Sequence, residues 1–206
     1  MPNDLQPRAM AVAYEGVAIG QSYEMWREEI CRSFCQLDVE ASQGDRIDCQ
    51  VTLASLSHLS LATAEGASGR FSRTRQLLPD GCDDFVLVTA TGGPTNLMRN
   101  GRSTSLLQSQ MCLTEMNALA AIGFDGNQQF TTIRIPRRAL LSICPGAEER
   151  LSQPLDPNST LVPMIARYYE MAIELARDLD AVGQRTTANH LVDLIGLLLG
   201  ANREEK

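Results

Sequence analysis

Lysine is almost missing from this chain: Lys206 stands alone among 206 residues, with two histidines and one tryptophan. The formal net charge is -7, and the arginines never gather into a basic helix. Nucleic-acid binding draws much of its affinity from clustered Lys and Arg, so these residues do not make a DNA-binding surface. The two histidines, His58 and His190, lie far apart with no His-x-His pair. A transition-metal site built on His ligands is therefore not expected, and the metal expectation is none. No GxSxG nucleophile elbow is present, and Gly92-Gly93-Pro94 is too short to cradle a phosphate. Asp83 and Asp84 read as a solvated loop rather than an acid/base pair. No catalytic residues and no cofactor are expected, so an enzyme is not.

Six cysteines, at 31, 35, 49, 82, 112 and 144, form no CxxC pair. They read as reduced, buried thiols. No apolar run approaches the roughly 20 residues of a membrane span. Met1-Pro-Asn-Asp-Leu5 carries no basic lead and apolar h-region. A cytoplasmic protein without membrane contact is the expectation.

What the chain does have is β pattern. Phe85–Thr91, Thr95–Met98, Ser105–Leu107, Met111–Met116, Ala118–Phe124 and Phe130–Ile135 are strand-length runs. They are separated by Asn100-Gly101 and Asp125-Gly126, the strongest short-range hairpin signals. Upstream, Ile47–Ser55 and Leu59–Thr63 alternate as half-buried strands, with turns at Gln43–Asp45 and Gly66–Gly69. A strand over Arg70–Leu78 places Phe71, Arg73, Arg75 and Leu77 on one face. Regular antiparallel spacing points to a sandwich or barrel.

Helices flank this block. Ser22 caps a helix to about Gln36 whose apolar face is Tyr23, Trp26, Ile30, Phe34 and Leu37, with Trp26 a core anchor. After Pro136 the period becomes 3.6. A short helix spans Arg137–Ile143. A long one starts near Ser159 or Thr160 with the stripe Leu161, Ile165, Tyr168, Ala172, Leu175 and Leu179, and Gly183 breaks it. The last helix, from about Thr187, is apolar almost all round, which suits a paired surface. Residues 1–20 form an arm, 21–145 a helix plus barrel, and 146–206 a C-terminal helical dimerisation segment.

This order resembles the N-terminal regulatory domain of AraC-type transcription regulators. The likeness is carried by Met25-Trp26-Arg27, Phe34, Leu37-Asp38-Val39, Arg73-Thr74-Arg75 and Asp83–Val88. It continues in Asn100-Gly101-Arg102 and Phe130–Arg137, and it covers about residues 20–200. The chain departs from the family at Ser109-Gln110, where Gly-Asp is usual. The family's helix-turn-helix module does not appear before Lys206, which reads as a sensor domain cut at the linker.

The resemblance implies an α+β fold: an antiparallel cupin-like β-barrel or jelly roll, preceded by one helix and followed by a helical hairpin. It implies effector binding and dimerisation, with DNA contacted only through a module absent here. The alternative is a free-standing cupin-like small-molecule-binding protein or enzyme. If an effector binds, an anionic compound near Arg73 and Arg75 is expected, within a site including Phe71 and Phe85. The competing expectation pairs those arginines with Asp83, Asp84 or Glu115. The expected homodimer interface is Leu191, Leu194, Ile195, Leu197 and Leu198. A monomer results if the long helix and the barrel cover both faces of the last helix.

Overall fold

The computed structural model describes residues 10–12, 17–18, 24, 27, 28, 30–32, 34–40 and 46–201. The expected cap at Ser22, the anchor at Trp26 and the turn at 43–45 lie outside the described residues, as does most of the 1–20 arm. Two pieces of that arm are strands, β1 (Met10–Val12) and β2 (Val17–Ala18), both paired with β4 (Arg46–Leu56). Helix α1 is described at Glu24, Arg27, Glu28, Ile30, Cys31 and Arg32. It leads into β3 (Asp38–Glu40).

The barrel is built on two long strands, β5 (Leu59–Arg73) and β10 (Ala120–Ile135), which pair antiparallel along nearly their whole length. Each contributes one half to each of two sheets. The first sheet runs β4, β5, β10, β6 (Phe85–Ala90) and β9 (Met111–Glu115). The second runs β3, β5, β10, β7 (Thr95–Arg99) and β8 (Arg102–Leu106). Every pairing between these described strands is antiparallel, and the architecture is the expected α+β jelly roll with a helix before it and helices after it.

Two expected turns are not turns. Asp125-Gly126 and Gly66–Gly69 sit opposite each other inside β10 and β5, where the register shifts between Asp125 and Gln128. A bulge at paired glycine-containing stretches bends both strands, so that one ladder serves two sheets. Asn100-Gly101 is the predicted hairpin turn. Both residues have positive φ, 48° and 79°, as a tight turn between twisted strands requires.

The first sheet is buried on both faces, which is why all six residues of β6 are buried. Val86 and Val88 face the barrel interior, with Val51, Ala62, Phe71 and Phe130. Phe85 and Leu87 face the other way, into a second core with Leu59, Leu61, Met111 and Ile133. Helices α2 (Arg137–Ile143), α3 (Leu161–Leu175) and α4 (Ala181–Leu198) cover that face with Leu140, Ile165, Tyr169, Leu191 and Ile195.

The α3 stripe differs from the predicted one. Val162, Ile165, Tyr169, Ala172 and Ala176 are buried, while Leu175 is exposed. Helix α4 starts at Ala181, not Thr187, because Asp180 caps it by accepting from the Gly183 N–H at 2.7 Å. Gly183 is thus in the first turn. No helix among the described residues is long and apolar enough to cross a membrane.

Candidate effector cavity

A cavity of about 80 Å³ lies inside the barrel. Its wall is aliphatic and aromatic. Alternation along the strands places Val51, Leu53, Ala62, Ala64, Val86 and Val88 inward, and Phe71 meets Phe130 edge-on, with centroids 5.9 Å apart. One side is closed by Ile30 of α1 with Phe34 and Leu37 of its exit.

That cover is tied down by polar contacts. Arg27 meets the Asp38 carboxylate at 2.6 Å, and the Arg134 guanidinium lies 5.9 Å from the Phe34 ring centroid. Arg73 is the hub. Its Nη1 donates to the Gln36 carbonyl at 2.7 Å and to Asp80 at 2.8 Å. Its Nη2 donates to the other Asp80 oxygen at 2.9 Å and its Nε to the Met116 carbonyl at 3.1 Å. The bidentate Arg73 fork, chiefly through its hydrogen bonds, holds the Asp80 carboxyl below its ordinary pKa.

Of the predicted site residues, Phe71 and Arg73 line the cavity and Arg75 and Phe85 do not. Strand β5 ends at Arg73, so Arg75 lies in the following turn, exposed, and does not share a strand face with Arg73. Phe85 belongs to the helix-side core, under the Arg137 guanidinium at 4.4 Å.

The acidic partners named for the two arginines are engaged elsewhere. Glu115, a cavity-lining residue, bonds Arg99 through one oxygen and Arg137 through the other, the latter at 2.7 Å. Arg137 also meets Glu148 and, at 3.4 Å, Asp83; Arg134 takes Asp84 at 3.1 Å. Asp80, Glu115, Arg99 and Arg137 were not legible as site residues. Glu115 shares its strand phase with Met111 and Leu113, which face the helix-side core, so alternation in the run Met111–Met116 gave no signal for it.

Among the described residues no group of three or more His, Cys, Asp or Glu side chains could hold a metal ion. The six cysteines are free thiols, and burial pushes Cys35 and Cys112 up, Cys112 to about 11.

The five predicted interface residues divide between core and surface. Leu191 and Ile195 are fully buried within the chain itself, Leu194 and Leu198 are half-buried, and Leu197 is exposed. Exposed Met164, Met171 and Leu175 lie on α3, and Tyr168 of α3 meets His190 of α4 at 3.1 Å.

An apolar-lined jelly roll covered by an N-terminal helix and backed by a helical hairpin defines a β-barrel domain with an internal cavity. The chain belongs to the AraC-binding-like domain family, which it matches over residues 26–200. Among solved structures, it is similar to the AraC-like transcriptional activator CuxR, with a TM-score of 0.70 at 14% identity, over 89% of this chain and 68% of that one. A Cupin 2 conserved barrel domain protein from Salinispora arenicola is similar over 50% of this chain and 78% of its own, with a TM-score of 0.33 and 8% identity. KdgF from a Halomonas species is similar over 49% of this chain and 87% of its own, with a TM-score of 0.34 and 10% identity. No curated protein matches the chain in sequence.

Proposed function

We propose that this chain is the effector-sensing and pairing domain of an AraC-type transcription regulator. The carrying observation is the apolar cavity inside the family's barrel, with Phe71 and Phe130 in its wall. A regulator domain of this kind binds a small molecule inside the barrel and changes how two copies meet. With a net charge of -7, the domain leaves DNA contact to a separate basic module.

Pairing is assigned to the outer seam of α3 and α4. Exposed Met164, Met171, Leu175 and Leu197 flank the Tyr168–His190 contact, and exposed apolar surface of this extent marks an interface. A symmetric pair would bury this seam against its own copy and leave Leu191 and Ile195 in each subunit's core. Sedimentation equilibrium at micromolar concentration tests this: a dimer is expected for the native chain, and monomers for Leu197→Glu or Met171→Glu. A native monomer, or dimers that survive both substitutions, would remove pairing from the reading.

A further inference from the structure

Among the described residues, two ionisable ones line the barrel cavity, Arg73 and Glu115, and Glu115 shares the helix-facing strand phase of Met111 and Leu113. Arg73 uses four N–H groups on Asp80, Gln36 and Met116, and the Glu115 oxygens are taken by Arg99 and Arg137. Each charge is met by an opposite charge, so neither is left over for an occupant. Of the threonines in the wall, Thr132 already donates to the Ala62 carbonyl at 3.4 Å. A carboxylate or ammonium moved here would lose its hydration and find no free counter-ion among the described residues, a cost that apolar walls do not offset.

The space is small as well. At about 80 Å³ it is roughly half the engineered cavity of about 150 Å³ that holds benzene. A six-membered ring is admitted only if part of the wall moves. The side formed by Ile30, Phe34 and Leu37 is not built from a sheet ladder.

We infer that the occupant of this cavity is an uncharged, predominantly apolar small molecule. The inference rests on the sensing role proposed above and narrows it, since it excludes an anionic effector held by Arg73. Arg73 instead belongs to the clasp that holds the cover.

The test uses one ring with three head groups: cyclohexanol, cyclohexanecarboxylate and cyclohexylammonium. Binding to the 206-residue chain is read by ligand-observed saturation transfer and by the thermal midpoint. Cyclohexanol is expected to bind and to raise the midpoint, with the two ions at least about tenfold weaker. Val88→Ala removes two wall methyls and should strengthen cyclohexanol binding about tenfold, at roughly 0.8 kcal/mol per buried methylene. Ala64→Leu should abolish binding by filling the space, and its circular dichroism and cooperative melting show whether the barrel is intact.

If the carboxylate binds as well as the alcohol and Ala64→Leu removes it, the sensing role stands and the inference of an uncharged ligand falls. If none of the three binds, even to Val88→Ala, the cavity is not a binding site for such molecules and both readings fail.

Discussion

At the scale of single residues, Arg73 changes meaning most between sequence and structure. It is an arginine on a strand next to Phe71, a pattern that suits an anion site. The fold buries it and closes its fork on Asp80, a side chain seven residues on. Breaking a buried, hydrogen-bonded pair from one side is costly, so Arg73→Ala should lower stability by about 3 kcal/mol or more in urea denaturation.

The pH dependence has a definite sign. The folded Asp80 carboxyl titrates below its ordinary value, so its contribution is fully present above about pH 4 and is lost as pH falls through the folded value. The thermal midpoint should drop between pH 5 and 2, and less steeply in Asp80→Asn. Equal slopes for the two proteins would show that the clasp contributes nothing.

Gly196 is a second such residue. In sequence it is a helix-weakening glycine that asks for a close neighbour. That neighbour is intramolecular: a Cβ here would stand 2.5 Å from Ile143 Cγ2 of α2. Gly196→Ala gains about 1 kcal/mol of helix propensity yet forces α2 and α4 apart. Net destabilisation is expected, and Ile143→Ala in the same chain should relieve the clash, so the two changes together should cost less than their sum.

At the scale of elements, the strand pattern and the Asn100-Gly101 hairpin were readable because alternation and turn chemistry are local. The long bent strands were not. Gly66–Gly69 and Asp125-Gly126 carry turn chemistry, and only their mutual pairing, 57 residues apart at Ser68 and Asp125, makes them a bend. Half-buried strands were expected where β4 and β5 are covered on both sides, since the helix layer over them comes from residues 137–199. The segment 152–155 runs along the outer edge of β9: the Ser152 and Leu155 N–H groups donate to the Leu113 and Met111 carbonyls, each at 2.8 Å. Covering an edge in this way suppresses strand-to-strand association.

The α3 stripe keeps Ile165 and Ala172 but moves one residue on to Val162, Tyr169 and Ala176, and Tyr169, not Tyr168, reaches the sheet. Its phenol, whose pKa burial pushes well up, shares a 3.0 Å hydrogen bond with Thr63 on the helix-facing side of β5. Tyr169→Phe and Thr63→Val should each cost about 1 kcal/mol in chemical denaturation, and the double variant no more than the larger single. Additive losses would show that the bond does not join helix to sheet.

At the scale of the whole molecule, the acidic charge, the barrel between two helical elements and the family match over 26–200 converge on a sensing domain. The fold class was legible in full. The cavity was legible only as alternation, because which phase points inward is settled by the helix layer outside the sheet.

The central claim is that the barrel cavity is where a small molecule is sensed. It is tested most directly by a thermal-shift screen of uncharged metabolites, run in parallel on the native chain and on Ala64→Leu. A ligand at 100 times its Kd adds about 2.7 kcal/mol, a shift of roughly 5–10 °C for a domain of this size. The account predicts compounds that stabilise the native chain and leave the filled cavity unmoved. Compounds that stabilise both equally would contradict it.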